Sequence, residues 1–426
     1  MCAAKLQRTH CGLLVLLVSG CGGGGGSTAQ PPPPLTVTAE ILYSFGGTST
    51  DAIGPSGVLF QGSDGNFYGT TFRGGLAACG NGAATSDPLY VGCGTVFKIT
   101  PSGGEAVLHL FAGAPADGAN PEVLIQGSDG NLYGTTAIGG ANNAGTVFRL
   151  TPEGVETILY SFTAGSDGAL AHGLVQGSDG NFYGTTAGGG MYNVGAVFKL
   201  TPEGVETVLY SFAGMSDGAS EGDGASPVGQ LVQGSDGNFY GMTELGGLNS
   251  PVVMDTTTCG TAFKVTPEGV ETILHRFSGP DGESPDAGLI QGSDGNFYGT
   301  TSGGNTTLGT VFKLTPQGVE TTLYTFSGSD GAFPGASLIQ GSDGNFYGTT
   351  EGGGKNDGGT MFQLTAAGAV SVLYSFPNTS GEYDGTQLPG AEPNTNLVEG
   401  SDGNFYGATY SDGAYDRGYF FKLILH

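Results

Sequence analysis

Positively charged residues are scarce in this sequence. It contains 12 lysines and arginines against 38 aspartates and glutamates, and its formal net charge is −26. Binding to phosphates requires clusters of lysine and arginine, and anionic lipid surfaces attract the same residues. We therefore expect no nucleic-acid partner. Cations, neutral glycans and other proteins remain as ligand classes, and the acidity also promotes solubility.

The usual sequence signatures of catalysis are missing as well. There is no HExxH zinc motif, phosphate-binding loop or dinucleotide fingerprint, and no nucleophile–histidine–acid set is visible. No motif calls for a cofactor, so none is expected to be required. Paired carboxylates for glycoside hydrolysis stay open as an alternative, because 38 acidic residues allow many pairings. The sequence thus favours a binding protein over an enzyme.

Glycine is abundant, and the other residues indicate whether it belongs to a disordered chain or to turns of a folded one. With 84 glycines and 21 prolines in 426 residues, these two types make up about a quarter of the chain. Charged residues reach only 12% and aromatic residues 10%. A disordered chain normally shows many charges and few aromatic side chains. The glycines therefore indicate turns in a dense β-protein.

The amino terminus has the features of a bacterial export signal. Lys5 and Arg8 precede an apolar segment, residues 13–18, that is too short to span a bilayer. The segment Val18-Ser19-Gly20-Cys21 resembles the lipobox of bacterial lipoproteins. The resemblance implies a signal peptide at residues 1–20 and a diacylglycerol on Cys21. An ordinary cleaved signal that ends near a cysteine is the alternative.

The next segment, residues 21–35, has the composition of a tether. Its glycine run favours a flexible coil and its four consecutive prolines favour an extended spacer. Glycine rather than aspartate follows Cys21, which by analogy with lipoprotein sorting implies the outer membrane or cell surface. We therefore predict a folded body at residues 36–426, held at the bacterial cell envelope by its lipid and expected to be a monomer.

Three cysteines remain in this body: Cys79, Cys93 and Cys259. An exported chain can form disulfides. Cys79 and Cys93 lie in one long insertion and are the predicted pair, which leaves Cys259 without a partner. A Cys93–Cys259 bond is the alternative, and it requires that their two repeats come close together.

The body is built from seven copies of one motif. "GSDGNFYGTT" occupies residues 62–71, and close copies begin at residues 127, 177, 234, 292, 341 and 400. Each unit of roughly 49 to 65 residues contains four short runs of Val, Phe, Tyr, Leu and Thr, separated by Asp-Gly and Glu-Gly turns, which is typical of β-hairpins. Four antiparallel strands in a unit of this length are the size of a propeller blade. The sequence therefore predicts an all-β, seven-bladed β-propeller.

The two ends of the body predict that the ring is closed. Residues 36–45 match a fourth strand with no strands before it, and residues 418–426 match a third strand with none after it. Pairing of these segments would complete the last blade and remove two exposed sheet edges. The motif itself is then structural. "SDGN" is the turn between the first and second strands, and Phe67 and Tyr68 face the two neighbouring blades.

The repeat, "GSDGNFYGTT…GG…GTVFKLTPEGVETILYSF", resembles that of the choice-of-anchor GloVer-type tandem-repeat proteins over essentially residues 37–426. The resemblance implies a secreted or surface-anchored bacterial protein. There is a looser similarity to the streptogramin-lyase-like propellers, which use histidine and a divalent cation. Here His109 and His275 replace a tyrosine of the fourth strand and are predicted to pack as it does, whereas His172 is predicted to lie in a loop that could face a site.

The predicted fold has one regular face and one variable face. We label the four strands of each blade A to D in chain order. The B–C loops and D–A connections vary in length, and binding residues commonly lie on such loops. Loop tyrosines there could edge a binding surface: Tyr90, Tyr192, Tyr383 and Tyr415. Each D–A connection also contains an aspartate, and these are Asp51, Asp117, Asp167, Asp223, Asp281, Asp330 and Asp384.

Two interpretations of these aspartates are open. They could encircle the mouth of the central channel and bind Ca²⁺ or Mg²⁺, since a ring of like charges attracts cations. They could instead form seven Asx turns in which each carboxylate accepts hydrogen bonds from its own loop. The sequence as a whole predicts a lipid-anchored, extracytoplasmic binding or scaffolding module for a protein or glycan. A hydrolase or lyase acting on a polysaccharide at the variable face is the alternative.

Overall fold

A computed structural model describes residues 37–48, 50–75, 79, 92–214, 222–247, 259–303, 308–376, 393, 395–411 and 413–426. These residues belong to one compact unit, 36–426, and their regular structure is entirely β. Within these ranges no helix is long and apolar enough to cross a bilayer. Cys21, the predicted signal peptide and the tether lie outside the described residues, as do Tyr90, Tyr383 and Asp384.

The strands form seven sheets of four antiparallel strands, which are the blades of a seven-bladed β-propeller. This confirms the predicted fold. Blade 1 contains β2 (Ala52–Gln61), β3 (Phe67–Gly74), β4 (Thr95–Ile99) and β5 (Glu105–Leu110); blade 2 contains β6 (Gly118–Gln126), β7 (Leu132–Gly139), β8 (Thr146–Leu150) and β9 (Glu156–Ser161). Blade 3 contains β10 (Ala169–Gln176), β11 (Phe182–Gly188), β12 (Ala196–Leu200) and β13 (Glu206–Ser211); blade 4 contains β14 (Ala225–Gln233), β15 (Phe239–Leu245), β16 (Thr261–Val265) and β17 (Glu271–Arg276).

The remaining blades have shorter first strands. Blade 5 contains β18 (Ile290–Gln291), β19 (Phe297–Thr301), β20 (Thr310–Leu314) and β21 (Glu320–Thr325); blade 6 contains β22 (Ile339–Gln340), β23 (Phe346–Thr350), β24 (Thr360–Leu364) and β25 (Val370–Ser375). Blade 7 joins both ends of the described chain: β26 (Val398–Glu399), β27 (Phe405–Ala408), β28 (Tyr419–Leu425) and β1 (Val37–Ser44).

The ring closes by the predicted pairing. β1 runs antiparallel to β28, with Val37 opposite Leu425, Ile41 opposite Phe421 and Ser44 opposite Tyr419. The fourth strand of blade 7 therefore comes from the start of the body and the other three from its end. Pairing these two segments leaves neither as a bare edge, which is a recurrent solution to strand-edge exposure.

The copied motif forms a tight A–B turn around its aspartate. In blade 1, Asp64 accepts hydrogen bonds from the Asn66 amide (3.1 Å), the Tyr68 hydroxyl (2.8 Å) and the Lys98 ammonium group (2.9 Å). Gly65 has a φ of +82°, which residues with a Cβ rarely adopt. One short turn thus orients an aromatic residue of the second strand and a lysine of the third.

The same motif also joins each blade to the next. In every blade the amide of the turn serine donates to the side chain that ends the first strand of the following blade. The seven bonds are Ser63–Gln126, Ser128–Gln176, Ser178–Gln233, Ser235–Gln291, Ser293–Gln340, Ser342–Glu399 and Ser401–Gln61, at 2.7–3.0 Å. The last of these returns to blade 1, so the hydrogen-bonded ring is complete.

Aromatic contacts reinforce the same interfaces. The tyrosine of each "FY" pair packs on the phenylalanine of the next blade, as when Tyr183 stacks on Phe239 with ring centroids 3.9 Å apart. Blade 2 has Leu132 in place of the phenylalanine, and it packs in one cluster with Tyr68. These side chains are almost fully buried. The sequence is therefore copied seven times because each copy forms the same interface between wedges.

The first strands lie at the centre and the fourth strands at the outer edge. First strands of neighbouring blades contact one another, whereas the fourth strand is at the opposite edge of each sheet. The approach at the centre is close: a Cβ on Gly57 would lie 2.0 Å from the carbonyl oxygen of Glu122 in the next blade. Because turns alternate between two faces, the A–B and C–D turns share one face and the variable loops share the other.

Candidate functional site

The predicted aspartates accept hydrogen bonds within their own loops. Asp51 accepts from the Tyr43 hydroxyl (2.9 Å) and from the amides of Gly47 (2.7 Å) and Ala52 (2.8 Å). The same pattern recurs at Asp117, Asp167, Asp223, Asp281 and Asp330, each held by backbone amides and by a tyrosine or histidine of the preceding fourth strand. This geometry is that of the Asx-turn interpretation.

These contacts also locate the carboxylates. Their tyrosine and histidine partners are on the fourth strands, so the six described aspartates lie at the outer edge of the blades. One of the two interpretations of the sequence places them instead around the mouth of the central channel. The physical reason for the difference is that the D–A connection begins at the outer edge, and the phenol at the end of the fourth strand holds the carboxylate there. Asp384 lies outside the described residues.

Other predicted residues have clear positions. Cys79 and Cys93 form a disulfide with a Cα–Cα distance of 5.2 Å, and Cys259 is free. Tyr192 and Tyr415 are exposed. His172 lies in β10, rather than in the loop where the sequence placed it.

The fourth strands of neighbouring blades contact one another along what we call the outer seams. A second set of carboxylates faces the aspartates across these outer seams. In blades 1 to 5 the fourth strand begins with a glutamate, and each one interacts electrostatically with the aspartate of the preceding blade. The pairs are Asp51–Glu105, Asp117–Glu156, Asp167–Glu206, Asp223–Glu271 and Asp281–Glu320. Val370 and Ala39 occupy this position in the last two blades.

Burial and the nearby aspartate both oppose ionisation of these glutamates. They raise the pKa of Glu105, Glu156, Glu206 and Glu271 to about 7. The Oε1 atom of each of these four is buried and has no hydrogen-bond partner in the part of the chain that the structure describes. The outer seams therefore contain glutamate carboxyl groups that change charge near neutral pH. Each of these groups has an oxygen atom that can still accept a hydrogen bond.

Two seams contain histidine in place of tyrosine. His109 packs edge-on against Phe111, as the tyrosines pack on the equivalent phenylalanines, which is the predicted packing role. The imidazole also reaches the carboxylates: His109 Nε2 is 3.5 Å from Asp117 Oδ2 and 3.8 Å from Glu156 Oε2. His275 Nε2 is 2.7 Å from Asp281 Oδ2.

Two open grooves follow outer seams. The groove between blades 3 and 4 has a volume of about 800 Å³, and Tyr192, Tyr210, Asp223, Glu271 and Arg276 contribute to its lining. Tyr192 and Met191 at its edge are 43% and 73% exposed. The second groove, about 450 Å³, lies between blades 7 and 1 and includes the Asp51–Glu105 pair.

A smaller polar group lies near the centre on the variable face. It comprises Glu122, His172, Glu244 and Asp286, which come from blades 2 to 5. Burial raises the pKa of Glu122, and the charge of His172 partly offsets the effect. Burial followed by the charge of Asp286 raises the pKa of Glu244.

The sequence identified the aspartates, the loop tyrosines and His172, but it missed the seam glutamates. Their signal is visible as the "VET" at the start of four of these fourth strands and as "GEA" around Glu105 in blade 1. Along the sequence this segment indicates only a strand, because its partner lies in a different repeat. Finding the pair requires knowing that the start of one fourth strand meets the end of the previous one.

The sequence matches the model of a repeat family described as the Gloeobacter/Verrucomicrobia repeat. Two consecutive matches cover residues 82–254 and 252–426, well over half of the chain. This confirms the predicted GloVer-type resemblance. A search of curated proteins finds no match.

Several solved propeller structures are similar in fold. A gluconolactonase from Xanthomonas campestris is 13% identical, with a TM-score of 0.43, and the match covers 74% of this chain and 89% of that one. A PQQ-bound aldose sugar dehydrogenase from Streptomyces coelicolor is 14% identical, with a TM-score of 0.44 and coverage of 72% and 94%. A luciferin-regenerating enzyme is 11% identical, with a TM-score of 0.44 and coverage of 91% and 95%. At this similarity none of these activities transfers to the chain.

Proposed function

The chain belongs to the Gloeobacter/Verrucomicrobia repeat family, and we propose that it acts as a lipid-anchored, extracytoplasmic module that binds a neutral glycan. The observation that carries the proposal is the groove between blades 3 and 4, where an exposed aromatic side chain borders carboxyl groups and a guanidinium group. Aromatic faces stack on sugar rings, and carboxylates and arginine hydrogen-bond to hydroxyl groups.

The dimensions and charge of this groove suit a sugar chain. A volume of about 800 Å³ falls within the range of small-molecule sites, and the groove is open, which would let a polymer pass through it. The net charge of −26 disfavours anionic polysaccharides. Tyr192 and Met191 lie on a B–C loop, on the variable face, where binding residues are expected.

Lipid anchoring is supported by the export signal, the lipobox-like segment and the glycine- and proline-rich tether. A Cys21→Ser variant should move from the membrane fraction to the soluble fraction after cell lysis, because one cysteine would carry the whole anchor. The parent protein fractionated in parallel is the control. Continued membrane association of this variant would contradict the lipid anchor while leaving the glycan proposal intact.

Glycan binding is tested with the full chain carrying Cys21→Ser, applied to a glycan array and to immobilised neutral polysaccharides. Tyr192→Ala should weaken retention at least about tenfold, because stacking energy and apolar contact are lost together. Tyr415→Ala removes another exposed loop tyrosine, outside this groove, and is the matched control. Equal retention of both variants, or a lack of any retained glycan, would reject the groove as the site.

A hydrolase remains the second candidate because of one observation. Burial and the charge of Asp223 raise the pKa of Glu271 to about 7, which suits a general acid beside a second carboxylate. The same pairing of a glutamate with an aspartate recurs in other outer seams, away from this groove. This recurrence favours a structural rather than a catalytic origin for the raised pKa. Release of reducing sugar by the parent, abolished in Glu271→Gln, would establish the hydrolase, whereas stable binding without release supports the binding module.

A further inference from the structure

Among the residues that the structure describes, two of the outer seams contain a set of side chains that the other seams lack. His109, Asp117 and Glu156 meet between blades 1 and 2, and His275, Asp281 and Glu320 meet between blades 4 and 5. We propose that each set binds one divalent transition-metal ion of the zinc class, and that the ion clamps the two neighbouring blades together. This proposal is independent of the groove between blades 3 and 4.

The donor atoms are already close to coordination geometry. In each set one donor atom from each of the three side chains lies within 4.8 Å of the others. In tetrahedral zinc sites, bonds of about 2.0–2.1 Å place neighbouring donors about 3.4 Å apart. His109 Nε2 is 3.5 Å from Asp117 Oδ2 and 3.8 Å from Glu156 Oε2. Only small side-chain movements are therefore needed to accept an ion.

The first set also contains donor atoms that nothing else uses. His109 Nε2 and Glu156 Oε1 are both buried, and neither has a hydrogen-bond partner among the described residues. Among the ion pairs of the described residues, neither Asp117 nor Glu156 meets a lysine or an arginine. With both carboxylates ionised and the imidazole neutral, the set carries two negative charges, which a divalent ion would balance. The three side chains are 12–17% exposed, so an ion can reach them from solvent.

Backbone amides and a serine hydroxyl, which would not bind the ion themselves, hold the two aspartates in position. Asp117 accepts hydrogen bonds from the amides of Ala112 (2.7 Å) and Gly118 (2.6 Å). Asp281 Oδ1 accepts from the amide and the hydroxyl of Ser278, both at 2.8 Å. Such outer contacts orient the ligands in known metal sites and add to their affinity.

The remaining seams provide a comparison within the same molecule. Between blades 2 and 3 the Tyr160 hydroxyl donates to Asp167 Oδ2 at 3.0 Å, across from Glu206. The neutral phenol of a tyrosine keeps its proton and donates a hydrogen bond to the carboxylate. A neutral imidazole instead has a nitrogen lone pair that can bind a metal ion. Imidazole with carboxylates is a donor set suited to zinc, nickel and cobalt, and three protein ligands leave a position for water. The histidine is thus the residue that converts a hydrogen-bonded seam into a metal site.

Cobalt titration of the full chain tests this proposal, with Cys21→Ser in all variants and metal removed beforehand by chelation. Bound Co²⁺ is counted by calorimetry and by the visible absorption of the coordinated ion. His109→Tyr and His275→Tyr should each bind one ion fewer than the parent, and the double variant should bind two fewer. Tyrosine is native at this position in the other blades, so these variants are expected to fold.

A converse variant and two further controls make the test specific. Tyr160→His should add one ion, because Asp167 and Glu206 already complete the set. Glu156→Gln should weaken the first site at least about tenfold, and His172→Gln, near the centre, should leave the count unchanged. Equal counts in the parent and the double histidine variant would overturn the proposal, and so would a loss of the same two ions in His172→Gln.

Discussion

The A–B turns and the outer seams are both built from repeated carboxyl groups, yet their chemical environments are opposite. In blade 3, Asp179 of the turn accepts hydrogen bonds from Asn181, Tyr183 and Lys199 at 2.8–3.1 Å. Burial alone would raise the pKa of Asp179, but these hydrogen bonds hold it below its usual value. The turn therefore contains an ionised carboxylate whose partners are all in place.

Glu206, in the same blade, has the reverse surroundings. Burial and the charge of Asp167 raise the pKa of Glu206 to about 7, and no described residue forms a hydrogen bond with its Oε1 atom. The comparison shows that repetition alone does not identify a functional group. The turn carboxylates are repeated because they stabilise the ring, whereas the seam carboxylates keep an incomplete environment that a proton, a metal ion or a ligand can complete.

The largest expected effect is on the turn side, in the aromatic contact that the copied motif positions. Phe239→Ala should lower the free energy of unfolding by about 3–5 kcal/mol, because it removes a fully buried ring that stacks on Tyr183. Guanidinium unfolding monitored by circular dichroism measures the loss. Phe239→Leu is the matched control and should cost less, since Leu132 occupies this position in blade 2. Similar losses in both variants would contradict the role of the stacked ring.

Removal of a turn carboxylate should have the next largest effect. Asp179→Ala should cost about 2 kcal/mol, because the buried Tyr183 hydroxyl and the Lys199 ammonium group lose their acceptor. The folded pKa of Asp179 is lowered, so its stabilising contribution is present above the unfolded pKa and is lost as the pH falls. The variant should therefore differ from the parent at pH 7 and converge with it in strong acid. A constant difference at all pH values would contradict this account.

The pH dependence of stability tests the glutamates of the outer seams. A raised folded pKa means that stability from Glu206 is present below the unfolded pKa near 4.5 and declines as the pH rises through about 7. The parent should thus lose stability between pH 5 and pH 8. Glu206→Gln should be more stable than the parent at pH 8 by about 1 kcal/mol, after allowing for solvent screening. Thermal unfolding at both pH values measures this, and a variant less stable than the parent at pH 8 would refute it.

The smallest effect is expected for the lysine of the turn network. Lys199→Gln should change stability by less than about 1 kcal/mol, because a partly exposed ion pair contributes little. Blade 6 already has Gln363 there, and its side-chain amide donates to the Tyr347 hydroxyl at 2.8 Å. Chemical unfolding of this variant beside Asp179→Ala separates the two partners. Equal losses would mean that the lysine, rather than the carboxylate, holds the turn.

The fold was predictable because its information is local and repeated. The spacing of the motif indicates the blade, and the unmatched strands at residues 36–45 and 418–426 indicate closure. The position of the aspartates was less predictable. Asp51 lies eight residues beyond Tyr43, and no pattern along the chain states that the phenol holds the carboxylate at the outer edge. Asp117, the partner of Glu156, was harder still to predict, because it is in another blade.

The sequence by itself determined the seven-bladed ring, since every copy contains the turn, the tyrosine of the second strand and the glutamine or glutamate from which one interface is made. Only the tertiary structure decided which charges meet. Neighbouring fourth strands place the end of one against the start of the next, so His109, Asp117 and Glu156 converge although 47 residues separate the first from the last. Electrostatic interaction depends on distance in space and on burial, and neither can be read along a single repeat.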